Sequence, residues 1–228
     1  MPVNEFGQPV GPSLGAWTPP SAAPTRTLAG DWATVRRWTS TDAEPLLAGF
    51  RRSADDLWTY MPWGPFQSPD GLAQVYDGLS ASQTAVPFTI LVDGVPQGVA
   101  AYLRIALRDG AIEIGSITYS SALQRTAAAT EAMSMMIDAA FDAGFRRVEW
   151  KCDDLNAPSR RAAERLGFVF EGTFRNATHY KGRSRDTAWF AITADDWPPV
   201  RTRHAAWLDP ANFDESGDQR TRLATDIG

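Results

Sequence analysis

The sequence is poor in residues that build covalent or metal-held frameworks. One cysteine, Cys152, stands in 228 residues, so no intrachain disulfide can form. Two histidines and that cysteine argue against a zinc site, which favours four Cys, His or carboxylate ligands, and no metal is expected. No apolar run approaches the roughly 18 to 20 residues a membrane helix needs. The N-terminus lacks a basic start followed by an apolar stretch, so no secretory signal is visible. A cytoplasmic setting with no membrane partner is the expectation. Surplus positive charge is missing as well. The 22 Lys and Arg against 27 Asp and Glu give a net charge of −5, and no direct nucleic-acid partner is expected. What remains is an ordinary globular composition, 43% hydrophobic and 21% charged, long enough to bury a core without staples.

Six of the sixteen prolines fall within the first 24 residues. Residues 1–26 therefore read as an extended arm, with Phe6, Leu14 and Trp17 available to dock it. The main domain spans 27–198, and residues 199–228 form a C-terminal tail with a short helix around Pro199 to Leu208. Thr34 to Trp38 reads as a strand. Asp42 caps a helix through Phe50, whose Leu46, Leu47 and Phe50 share a face. A second helix fits Pro69 to Leu79. Between them, Leu57 to Phe66 is too rich in proline and aromatics for regular structure.

Three strands follow: Ala85 to Val92, Pro96 to Ile105 and Ala111 to Ser120, with turn signals at Asp93-Gly94 and Asp109-Gly110. In the third, alternation places Glu113, Gly115, Ile117 and Tyr119 on one face and Ile112 and Ile114 on the other. The period then changes to a helix over Thr126 to Phe141. Arg147 to Cys152 is a short strand, and Asn156 and Pro158 open a helix ending at Leu166-Gly167. Phe168 to Thr178 pairs with Thr187 to Ile192. The order β-α-α-β-β-β-α-β-α-β-β predicts an α/β (mixed α+β) fold with a twisted mixed sheet and helices on both faces.

The most informative stretch is a strand entering a helix through Leu123-Gln124-Arg125-Thr126-Ala127-Ala128-Ala129-Thr130-Glu131-Ala132. A helix start exposes unpaired amides and a positive dipole end, and small residues let a phosphate approach them. These segments resemble the GNAT N-acetyltransferase superfamily, in particular the branch that includes the ribosomal-protein N-terminal acetyltransferases. Gln124 and Ala129 match that family's Gln/Arg-x-x-Gly-x-Gly/Ala pattern, with Ala127 where the first glycine stands, and Thr130-Glu131-Ala132 follows in register. Asn156, Leu166-Gly167-Phe168, Asp186 and Asp196-Trp197-Pro198 fit as well. The resemblance covers about residues 27 to 198.

The resemblance implies acetyl-CoA as acyl-donor substrate, bound where two central parallel strands splay apart, and direct transfer of the acetyl group to a primary amine. The acceptor stays open among a protein N-terminus, an amino sugar, a polyamine and an amino-acid derivative. Gln124, Arg125, Thr126, Ala127, Ala128, Ala129 and Thr130 would meet the pyrophosphate, with Asn156 and Arg160 as further donor contacts. Backbone amides of Ile117 and Thr118 would face the thioester oxygen. Glu113, on the cleft-forming strand, is the expected base. Many members carry a tyrosine acid where this chain has Ala163; Ser159 is the expected donor to the thiolate. Trp58, Tyr60, Trp63 and Phe66 would wall the acceptor pocket, with Tyr180 contributing from the last hairpin.

Each residue also has a plainer reading. Glu113 serves equally as a strand carboxylate facing a basic neighbour, Asn156 as an N-cap, and Ser159 as a local cap. Arg160 suits a solvated helix, and Cys152 reads as a buried structural thiol. Two other functions stay open: a non-catalytic acyl-CoA-binding regulatory protein on the same fold, and an interaction protein that uses the aromatic loop and tail. A homodimer is left open.

Overall fold

In a computed structural model, which describes residues 1–223, the expected order appears with two additions, a short first strand and a last helix. The strands are β1 (Leu28–Ala29), β2 (Thr34–Arg37), β3 (Val86–Val92), β4 (Val95–Ala106), β5 (Ala111–Tyr119), β6 (Arg147–Asp153), β7 (Val169–Tyr180) and β8 (Arg183–Thr193). The helices are α1 (Ala43–Phe50), α2 (Pro69–Ser80), α3 (Ala127–Asp142), α4 (Ala157–Arg165) and α5 (Trp197–Leu208). All eight strands form one sheet in the order β1-β2-β3-β4-β5-β6-β8-β7. Every neighbouring pair is antiparallel except β5 and β6. The hairpins at Asp93-Gly94 and Lys181-Gly182 put both turn residues at positive φ, the geometry that matches the twist of the flanking strands.

The sheet separates two apolar clusters. One contains Ile112 and Ile114 of β5, Val148 and Trp150 of β6, and the inner faces of α3, α4 and α5. The other packs α1, α2 and Trp58 against Val99. Helix α5 runs through the expected boundary at residue 198 and buries Trp197, Val200 and Trp207. The N-terminal arm is pinned at Trp17, whose indole Nε1 donates to the Gly144 carbonyl at 3.0 Å with Arg146 over the ring.

Two expectations are corrected. Asp42 does not cap α1 with its side chain. It is buried, and the Arg36 guanidinium and the Thr89 hydroxyl claim its oxygens at 2.6 to 2.8 Å. The alternation in β5 also breaks. Val99 pairs with Thr118 and Ala101 with Gly115, so Ser116 and Ile117 together oppose Ala100. This is a β-bulge, with Ser116 at φ 52°. The extra residue flips the pattern: Glu113 and Gly115 keep one face, while Ile117 and Tyr119 join the cluster of Ile112 and Ile114.

Two buried polar groups tie the layers together. Glu131 of α3 accepts the backbone amides of Asp31, Trp32 and Ala33 at 2.8 to 2.9 Å. Gly30 is needed there, since a Cβ on it would lie 2.2 Å from the Glu131 carboxyl carbon. His204 of α5 is buried, with Nδ1 3.0 Å from the Ser134 hydroxyl and the ring edge-on to Trp197. Burial, helped by Arg203, lowers its pKa from 6.5 to about 4. The unfolded chain therefore takes up a proton near pH 6.5 that the folded chain refuses until about pH 4. Its contribution to stability is complete above pH 6.5 and is lost as pH falls toward 4. The His204→Gln variant is expected to flatten that part of the stability profile by about 3 kcal/mol, read by urea unfolding at pH 7 and pH 4.5. Equal slopes in both proteins would remove His204 as the cause.

Candidate active site

The site begins where the one parallel strand pair comes apart. β5 and β6 pair at Ala111 with Arg147, Ile112 with Val148 and Glu113 with Glu149. Among the described residues no register pair joins them further on, although β5 continues to Tyr119 and β6 to Asp153. The bulge at Ser116 lies on the wall of this opening and turns the backbone of Ile117 and Thr118. The Tyr76 hydroxyl of α2 donates to the Ser116 carbonyl at 3.3 Å and holds the bulge in place. Trp63 of the aromatic loop packs edge-on against Tyr76.

One end of the opening leads to the start of α3. Arg125 takes a left-handed conformation at φ 63°, and Thr126 caps the helix: its hydroxyl accepts from the Ala129 amide at 3.2 Å and donates to the Leu123 carbonyl at 2.7 Å. Gln124 reaches back to the Tyr119 carbonyl at 3.2 Å. Gln124 and Arg125 are exposed and Thr126 and Ala127 half-buried, whereas Ala128, Ala129 and Thr130 are buried. The Thr130 hydroxyl bonds to the Thr126 carbonyl and receives Arg165 of α4, so its side chain serves helix packing.

Helix α4 starts at the end of β6 with Asn156 as N-cap, its side chain accepting from the Ser159 amide at 3.1 Å. The Ser159 hydroxyl accepts from Trp150 Nε1 at 3.0 Å and lies beside Cys152, whose thiol burial pushes up. Arg160 points elsewhere: its guanidinium pairs with Asp154 and lies over Phe170 and Phe190. Ala163 is fully buried in the core, where a tyrosine would have no room.

Glu113 stands at the closed root of the opening. It is buried, with Lys151 Nζ at 2.8 Å and Arg104 Nε at 3.5 Å. Burial raises its pKa, and the two cations, Lys151 first, pull against that rise. Gly115 leaves room for this carboxylate, since a Cβ there would lie 2.9 Å from Glu113 Oε1.

The acceptor side is built from the aromatic loop and the last hairpin. Trp58 is buried between Phe50 and Phe66, and its carbonyl accepts from Lys181 Nζ at 2.6 Å. Tyr180 donates to Asp153 Oδ2 at 2.6 Å, and burial together with Asp153 raises its pKa. Tyr60 lies close enough to Tyr180 to act on it electrostatically. The structure thus brings Ile117, Thr118, the α3 start, Asn156 and Ser159 around one opening, and Trp58, Tyr60 and Tyr180 beside it. Sequence reasoning missed Asp153, Lys151 and the bulge. The first two carried a signal, because Arg147, Glu149, Lys151 and Asp153 alternate with Val148, Trp150 and Cys152. The bulge carried none, since serine does not announce a positive φ.

The profile of the acetyltransferase (GNAT) domain family matches residues 33–169. A GCN5-related N-acetyltransferase from Brucella melitensis is 36% identical, with a TM-score of 0.86 over 92% of this chain and 97% of its own. A probable acetyltransferase of the GNAT family from Chromobacterium violaceum is 33% identical, with a TM-score of 0.79 over 83% of this chain and 97% of its own. RimJ from Mycobacterium smegmatis, solved in complex with CoA-disulfide, shares the fold at 24% identity and a TM-score of 0.64, over 76% of this chain and 88% of its own. No curated protein matches the chain.

Proposed function

Because the chain belongs to the GNAT acetyltransferase family, we propose that it moves an acetyl group from acetyl-CoA to a primary amine by direct transfer. The observation that carries this reading is the parallel pair that opens past Glu113 and Glu149, with a bulge on one wall and a capped helix start at its end. The residues present fit the donor. The half-buried Ala127 and the exposed Gln124 and Arg125 leave the first turn of α3 open to a pyrophosphate, and Asn156 stands at the facing helix start. Bound acetyl-CoA supplies the activated acyl group as a thioester.

The chain's own residues do the rest. Amides of Ile117 and Thr118, turned by the bulge, stabilise negative charge on the thioester oxygen. Glu113 takes a proton from the incoming ammonium. Four strand residues at about 3.3 Å each separate it from Ile117, so the proton passes through water. Lys151 and Arg104 favour the ionised carboxylate that this needs. The transfer forms an N–C bond and breaks the C–S bond. The ammonium sheds one proton before attack and a second afterwards; one reaches the departing thiolate from Ser159 or water, and the other goes to solvent.

Calorimetric titration with acetyl-CoA, CoA and propionyl-CoA tests the reading. Micromolar binding is expected, weakened at least tenfold in Ala127→Leu, since that position opens the helix without entering the core. No binding by any of the three would overturn the proposal.

A further inference from the structure

Past Thr118, the described hydrogen bonds leave one carboxylate on the β6 side of the opening that the transfer has not used. The parallel register pairs Glu113 with Glu149, so continuing it places Asp153 across the gap from Ile117. Asp153 shares its strand face with Lys151 and Glu149, the face toward the aromatic loop. It is buried, Oδ1 accepting the Leu155 amide at 2.9 Å and Oδ2 the Tyr180 hydroxyl at 2.6 Å. Burying a carboxylate costs free energy unless something cationic or several donors meet it. Here two neutral donors do.

A second group stands beside it without a mate. In β8, Thr187 pairs with Asp153, so Arg185 lies two residues along on the same face. Its guanidinium sits over the Tyr180 ring at 5.8 Å, and its Nε is buried with no hydrogen-bond partner among the described residues. Among those residues no carboxylate forms an ion pair with it. An anion and a cation, both partly desolvated and joined only through a tyrosine, complement a ligand that carries both charges.

Resting on the acetyl-transfer reading, we infer that the acceptor is an amino acid or a close derivative with a free acid group. Asp153 receives its ammonium, and Arg185 receives its acid group. Tyr180 is a positioning residue that holds Asp153 toward the gap. Tyr60 and Trp63, on the approach to Tyr76 and the bulge, suit an apolar or aromatic side chain. Capture and deprotonation are thereby divided, with Asp153 acting on binding and Glu113 on the chemical step.

The test measures CoA thiol release from acetyl-CoA with L-phenylalanine, L-phenylalanine amide and phenethylamine, which differ only in the acid group. The acid is expected to be preferred at least tenfold in kcat/KM. Asp153→Asn should raise KM for all three by about thirtyfold with kcat within a few-fold, and Asp153→Glu should restore part of the loss. Arg185→Met should erase the preference for the acid and leave the amide unchanged. Tyr180→Phe should raise KM several-fold. Acetyl-CoA affinity, titrated separately, should stay constant throughout. Turnover of none of the three amines, no preference for the acid, or loss of acetyl-CoA affinity in Asp153→Asn and Tyr180→Phe would each overturn the inference. Wild-type binding of acetyl-CoA decides the underlying reading independently.

Discussion

Replacing Glu131 with alanine is expected to cost about 3–5 kcal/mol of folding stability, enough to abolish the folded state in a marginal domain. The carboxylate accepts three backbone amides, from Asp31, Trp32 and Ala33, and Ala33 lies in the buried core. Hydrogen bonds to a charged group contribute about 1.5–3 kcal/mol each, and truncation leaves the donors buried without acceptors. Glutamine is not a substitute, because its NH₂ cannot accept and at most one oxygen remains. Chemical unfolding of Glu131→Gln and Glu131→Ala should therefore show losses in that order. Loss below about 1 kcal/mol in Glu131→Ala would show that water replaces the carboxylate. The same bond network explains why Thr-Glu-Ala follows the helix start: the glutamate carries no donor contact and instead clamps the strand preceding β2 to α3.

Replacing Glu113 with glutamine is expected to lower kcat about a hundredfold or more, with little change in acetyl-CoA affinity. The size follows from general-base catalysis, and the pH dependence identifies its source. Burial holds the Glu113 pKa above the ordinary carboxylate value, against the pull of Lys151 and Arg104. A base must be ionised to act, so kcat/KM should rise as pH climbs through that raised pKa. In Glu113→Gln the rising limb should vanish and leave a flat, low rate. A hundredfold loss that keeps the wild-type limb would assign the titration to another group. Unchanged kcat would leave Glu113 as the buried partner of Lys151.

Much of the fold was legible because each element had a local cause. The helix start at α3 follows from Thr126 before an alanine run, the β7–β8 hairpin from Lys181-Gly182, and β6 from its strict alternation. Non-local claims on side chains were not legible. Asp42 looks like a cap, yet Arg36 and Thr89, 6 and 47 residues away, take it. Arg160 looks free to meet a phosphate, yet Asp154 and two phenylalanine rings hold it. The opening itself follows from an inserted residue in β5, and no periodicity reports where a strand gains one. Site residues on a helix start could be read from the sequence. Those on the acceptor side depend on a hairpin folding back over a loop more than a hundred residues earlier.

That fold-back governs access. The bond from Lys181 to the Trp58 carbonyl straps the hairpin tip to the aromatic loop. It makes a closed circuit of chain on the acceptor side, anchored at the sheet. A broad, convex protein surface cannot pass such a strap to reach Asp153 and Tyr180. A small molecule or a single extended terminus can. The strap therefore acts as a size filter ahead of any chemical recognition, and the two substrates enter from different sides and leave without crossing.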